Sequence, residues 1–83
     1  MEQIARTSKQ LGAIIRRERR RKNLTQKQLG AKVRLRQATI SKLEAGEQAT
    51  QLSTLLDVLT ALELELAIRL RSRAATDEIE DIF

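Results

Sequence analysis

The side chains able to do chemistry in this sequence are cations, amides and hydroxyls, because histidine and cysteine are both absent. Without them a zinc site of nitrogen and sulfur ligands, a thiol nucleophile and an imidazole base are excluded. No glycine-rich phosphate loop occurs, and no pair of carboxylates suggests a pocket, so an enzyme is the weakest reading. No cofactor or metal is expected. What remains is sixteen Lys and Arg against eleven Asp and Glu. Their distribution says more than their sum. Asp77, Glu78, Glu80 and Asp81 fall within the last seven residues, which leaves a net +9 on residues 1–76. A small body this basic is a candidate for polyanion binding, although a basic surface also serves solubility.

The elements that must position these charges can be read from the apolar spacing. Eighty-three residues read as one domain, near the lower limit for a chain without staples. The lack of cysteine fits a reducing cytosol. The apolar runs are too short to span a membrane, and the first residues lack the apolar stretch of a secretion signal. A single aromatic residue leaves the core to Leu, Ile, Val and Ala. Residues 1–7 show no pattern and read as a flexible N-terminus. From Ser8, a candidate N-cap, Leu11, Ile14 and Ile15 recur at helical spacing into an Arg-rich run ending near Asn23. The six bases among residues 16–22 read as a solvated face, except Arg19, which lies one turn past Ile15 and points toward the core stripe. A guanidinium there needs an acid beside it.

Thr25 is a second N-cap, opening a short helix over 26–33 with Leu29 and Val33 one turn apart. A break at Arg34 and Leu35 precedes a third helix from about Arg36 to Ala45, with Ile40 and Leu43 inward and Gly46 as its stop. A polar loop leads to a fourth helix ending near Leu62, with Leu52, Leu55, Leu56, Leu59 and Leu62 apolar and Thr50 or Ser53 as cap. Residues 62–71 then alternate: Leu62, Leu64, Leu66, Ile68 and Leu70 against Glu63, Glu65, Ala67, Arg69 and Arg71. That is the period of a strand, although a continued helix would also set 62, 66 and 70 on one face. Residues 73–83 read as an acidic, flexible tail.

Two short helices joined by a tight turn are the arrangement that carries a second helix into a DNA major groove. The string LTQKQLGAKV…QATISKLEAGE, with the upstream LGAIIRRERRRKN, resembles the Cro/repressor-like (XRE-type) helix-turn-helix family. The matching positions are Leu24–Gln26, Gly30, Ile40, Ser41, Glu44 and Gly46. Arg34 departs from the pattern, which usually has Gly there. If the turn needs a positive φ, a non-glycine residue costs roughly 1 kcal/mol or more. The resemblance implies a mainly α protein with a four-helix domain over 8–62, and the alternation that follows predicts a strand over 63–72 that pairs antiparallel with a second copy.

Roles follow by position in the recognition helix. Gln37, Ala38, Ser41 and Lys42 lie on its solvent face, with Arg36 at its start. Gln can read adenine, Ala can touch a thymine methyl, and Arg or Lys can reach guanine O6 and N7. Thr25 and Gln26, at a helix N-terminus, and Thr39 are the expected phosphate contacts. The resemblance also implies that Arg19 pairs with Glu44 in a partly buried ion pair that orients the recognition helix.

A lone strand must find its partner in another molecule. Antiparallel pairing about Ala67 would set Glu63 against Arg71 and Glu65 against Arg69, with Leu64 opposite Leu70 and Leu66 opposite Ile68. A shift of the axis to Ile68 would use Arg73. The dimer would present two recognition helices about 34 Å apart to a palindromic operator. Within the family, the run from Gln37 to Ile68 is most similar to HipB-type antitoxins. That resemblance implies a cytoplasmic bacterial repressor that sits on its operator in the nucleoid, regulates its own operon and neutralises a HipA-like kinase toxin. The tail would offer Ile82 and Phe83 to the toxin. The other readings are a stand-alone phage- or plasmid-type repressor, or a protein-interaction module that never meets DNA.

Overall fold

The computed structural model describes residues 2–47 and 50–71. It contains four helices, α1 (Ser8–Arg21), α2 (Gln26–Val33), α3 (Gln37–Glu44) and α4 (Leu52–Ala61), and no strand among the described residues. α3 is the central element: α1 and α2 both pack on it, while α4 closes against α2. Every helix contributes to one core of Ile15, Leu29, Ile40, Leu43, Val58 and Leu59, completed by Leu62 just past α4. Leu11, Leu24, Val33, Leu35 and Leu55 ring it.

Helix starts are fixed by two kinds of cap. Thr7, not Ser8, caps α1, its hydroxyl accepting the Gln10 backbone N–H at 3.0 Å. Ser8 is instead the first helical residue. Thr25 caps α2 with a reciprocal pair: its Oγ1 accepts from the Gln28 N–H at 3.0 Å, and the Gln28 Oε1 accepts from the Thr25 N–H at 2.8 Å. That arrangement satisfies two otherwise orphan donors and typically contributes about 1 kcal/mol. Arg36 and Gln51 precede α3 and α4 without any side-chain cap, so neither Thr50 nor Ser53 fills that place. Both helix starts lie at exposed residues, where water can meet the free amides.

All four helices end in the same way, with one residue in the left-handed region: Asn23 (φ 58°), Arg34 (φ 59°), Gly46 (φ 77°) and Glu63 (φ 58°). In each case the next residue donates its N–H back to a carbonyl five positions earlier, from Leu24 to Arg19, Leu35 to Gly30, Glu47 to Lys42 and Leu64 to Leu59. This wraps the chain sharply, and after α1, α2 and α4 it returns a leucine to the helix just left. Glycine occupies one of the four positions. The other three carry the steric cost of a Cβ in that region.

α4 settles differently from its sequence pattern. Leu52 and Leu56 are 64% and 41% exposed, while Val58 is fully buried. The face that packs is Leu55, Val58, Leu59 and Leu62; α4 is apolar on two faces, and its contact with α2 selects one of them. Beyond α4 the helix does not continue, because Glu63 turns the chain. Residues 64–71 hold no regular element, as a ladder needs a second strand and this chain provides none among the described residues. Their alternate residues run progressively out of the core: Leu62 is buried, Leu64 is half-buried against it, Leu66 is 52% exposed and Ile68 and Leu70 are 94% and 93% exposed. The strand expected over 63–72 is thus not formed among the described residues of the single chain. Ile82, Phe83, Arg73 and the rest of the acidic tail lie outside the described residues.

Candidate nucleic-acid interface

The surface formed by α2 and α3 is organised from inside outward. Arg19 reaches from α1 with its guanidinium forked onto Glu44 at the end of α3: Nε donates to Oε2 at 2.6 Å and Nη2 to Oε1 at 3.0 Å. Both side chains are buried, 9% and 3% exposed. The third guanidinium nitrogen, Nη1, donates to the Leu24 carbonyl at 2.7 Å and so pins the turn between α1 and α2. A carboxylate has room for further donors beyond one fork. Gln26 fills that capacity, its Nε2 donating to Glu44 Oε1 at 3.2 Å. The Gln26 carbonyl oxygen in turn accepts from Gln37 Nε2 at 3.4 Å. A continuous polar line thus runs from α1 through the buried carboxylate to the first residues of α2 and α3. No buried side-chain nitrogen or oxygen among the described residues lacks a partner.

Close backbone approach sets the height of α3. A Cβ on Gly12 would stand 2.4 Å from the Glu44 carbonyl oxygen and 2.5 Å from that of Leu43, so α1 meets the end of α3 at a distance only glycine permits. A Cβ on Gly30 would stand 2.6 Å from the Leu35 carbonyl oxygen, which holds the turn before α3 tight against α2. Arg34 occupies the left-handed turn between the helices at φ 59°, so the positive φ considered for that position is present without the glycine.

On the outside of α3, Arg36, Gln37, Ala38, Ser41 and Lys42 are all exposed, whereas Ile40, Leu43 and Glu44 are buried. Ala38, Ser41, Lys42 and Ala45 recur at one-turn spacing and form one face. Thr25 is exposed, and Gln26 and Thr39 are half-buried. The structure thus brings Gln26 and Gln37 together. Thr25's hydroxyl is committed to its own helix cap, so what it presents outward is the N-terminus of α2. Sequence reasoning misses the link from Gln26 to Glu44. Its signal is the unspent acceptor capacity of a carboxylate facing one arginine. It also misses Glu18, which is buried and accepts from Arg21 Nη1 at 3.1 Å.

The expected dimer residues stand differently. Glu63 is paired with Lys22 at 3.2 Å, and Arg69 with Glu2 at 2.7 Å, both within the chain. Glu65, Leu66, Ile68, Leu70 and Arg71 are exposed, and Leu64 belongs partly to the core. Residues 2–6, although without regular structure, are tied down by the Glu2 pair and by hydrogen bonds from Arg17 to Gln3 and from Gln3 to Glu18.

Two short helices, a left-handed turn and a polar outer face on the second helix define a helix-turn-helix protein. The chain belongs to the HTH_3 helix-turn-helix family, whose model matches residues 15–68. Its structure is similar to the matched chain of a HipB–O4 20mer complex, with 30% identity, a TM-score of 0.78, and coverage of 86% of this chain and 100% of that one. The matched chain of a HipA–HipB–O2–O3 complex gives 30% identity, a TM-score of 0.77 and the same coverage. The restriction-modification controller protein C.AhdI from Aeromonas hydrophila is also similar, at 28% identity and a TM-score of 0.65, covering 70% of this chain and 84% of that one. Comparison with curated protein sequences gives no match. The fold is that of a DNA-binding regulator, and no helix among the described residues is long and apolar enough to cross a membrane.

Proposed function

We propose that the protein is a dimeric, sequence-specific transcriptional repressor, and that it acts as an antitoxin which neutralises a HipA-like kinase and represses its own operon from the cytoplasm. The observation that carries DNA binding is the outer face of α3, where Gln37, Ala38, Ser41 and Lys42 are exposed above a buried ion pair. Gln37 and Ala38 read adenine and thymine edges; Lys42 and Arg36 reach guanine or the backbone. The N-terminus of α2 at Thr25 and Gln26, with Thr39, holds phosphates on either side. Similarity to HipB chains in DNA complexes supports this reading, and similarity to a chain in a HipA–HipB complex supports the toxin partner.

Dimerisation is supported by the apolar side chains that residues 66–70 leave in solvent. On pairing about Ala67, Arg69 exchanges Glu2 for the partner's Glu65, and Glu63 exchanges Lys22 for the partner's Arg71. Leu66 and Ile68 then become covered, and Leu64 and Leu70 follow. Ile82 and Phe83 are the proposed toxin contacts, tested by deleting residues 77–83 and measuring kinase binding.

A mobility-shift titration on the protein's own upstream region tests the main reading. Specific binding that falls about tenfold or more in Gln37→Ala, with non-specific binding retained, is expected, since a good bidentate contact is worth about 1–3 kcal/mol. Equal binding to scrambled DNA by both proteins would refute sequence reading through α3. The likeness to C.AhdI favours a second reading, a stand-alone regulator. It predicts operator binding with no kinase bound.

A further inference from the structure

The Arg-rich helix α1 carries a feature that the recognition surface does not use. Lys9, Ala13, Arg16 and Arg20 recur at four, three and four residues and so form one stripe, roughly 16 Å long at 1.5 Å per residue. The other arginines of α1 are engaged: Arg19 with Glu44, Arg21 with Glu18, and Arg17 with Gln3. Lys9, Arg16 and Arg20 are exposed and make no ion pair or side-chain hydrogen bond among the described residues. They line a groove shared with Glu44 and Ala45 at the end of α3. The Glu44 charge in that groove is already taken by Arg19. Ala45 lies on the same face of α3 as Ala38 and Lys42, so the groove is continuous with the reading face. The turn after α3 presses on the same place, since a Cβ on Gly46 would stand 2.5 Å from the Lys9 Cα.

We propose that Lys9, Arg16 and Arg20 form a second backbone contact on duplex DNA, gripping phosphates at the edge of the groove that α3 enters. It rests on the DNA-binding reading above and adds to it a site separate from the α2 N-terminus. Three unpaired cations on a rigid helix, beside a recognition helix, match the regular anionic lattice of a duplex, which carries one charge per roughly 3.4 Å per strand. Contacts of this kind fix orientation and add affinity without reading sequence.

The test is a salt titration of DNA binding by the full chain, Arg16→Gln/Arg20→Gln and Arg16→Lys/Arg20→Lys, on the upstream duplex and on a scrambled one. The glutamine variant is expected to melt as the parent does. Its slope of log affinity against log salt should drop by roughly 0.9 for each phosphate it no longer neutralises, equally on both duplexes. The lysine variant should keep the parent slope. A parent slope retained by the glutamine variant overturns the α1 contact while leaving DNA binding through α3 standing, and so does loss of binding confined to a protein partner. A parent that binds neither duplex overturns the DNA reading itself, and this inference with it.

Discussion

The helix-turn-helix unit and the segment after α4 deal with the same problem, groups that cannot be left alone, in opposite ways. Within the unit, Arg19 and Glu44 are withdrawn from water and every one of their polar side-chain atoms is met by Leu24, Gln26 or one another. After α4, Ile68 and Leu70 stand almost wholly in solvent, and the charges of Arg69 and Glu63 borrow partners from Glu2 and Lys22. The first region is complete in one chain; the second leaves apolar side chains in solvent. A recognition surface must hold one geometry to read bases. A surface that takes up a second copy, as proposed for residues 63–71, must be able to exchange partners. The costly buried pair sits under α3, and the exposed pairs sit on residues 63–69.

The strongest way to break this contrast is to remove one half of the buried pair. Glu44→Ala leaves a guanidinium in the core, and is expected to destabilise the fold by about 3–5 kcal/mol. In a domain this small that lowers the melting temperature by roughly 12 °C or more, read by circular dichroism. An unchanged melt would mean that α3 is aimed by packing alone. The proposed assembly surface is broken by Glu63→Lys with Glu65→Lys. Every cross-strand charge pair then turns repulsive, at roughly 0.2–1 kcal/mol per pair. Sedimentation is expected to show a shift toward monomer with the melt of the helical unit retained; an intact dimer would refute the antiparallel charge scheme. The smallest effect sharpens the first region. Arg34→Gly relieves a left-handed Cβ at the expense of unfolded-chain entropy, for a net gain of about 0.5–1 kcal/mol in denaturant titration. A loss instead would mean that the Arg34 side chain supports the turn.

Much of the helix-turn-helix is legible in the sequence because its signals are local. Thr25, Gly46, and the spacing of Leu29, Val33, Ile40 and Leu43 each act within a few residues, and the cap and core positions they define are those observed. The first cap falls one residue earlier than the sequence suggests, since Thr7 and Ser8 are equally able to accept from the helix and only the backbone selects between them. Leu52 and Leu56 stand outside the core because α4 is apolar on two faces. Val58 escapes the sequence pattern for the same reason. The need for an acid beside Arg19 is legible from one misplaced charge on an apolar stripe; its partner, twenty-five residues away, follows only from the family resemblance.

By itself, the sequence determined the chemistry open to this protein. It has cations and amides without imidazole or thiol, a short second helix after a sharp turn, and a period change at Leu62 that ends the helical unit. Those are properties of composition and of neighbours along the chain, where covalent spacing enforces proximity. The tertiary structure alone decided the rest. It set the close approach of α1 to α3 at Gly12, linked Gln26 and Gln37 to the buried carboxylate, chose the face of α4 that packs, and placed the unpaired stripe of Lys9, Arg16 and Arg20 beside the recognition helix. Each of these depends on distances between helices, which packing sets and no local pattern records.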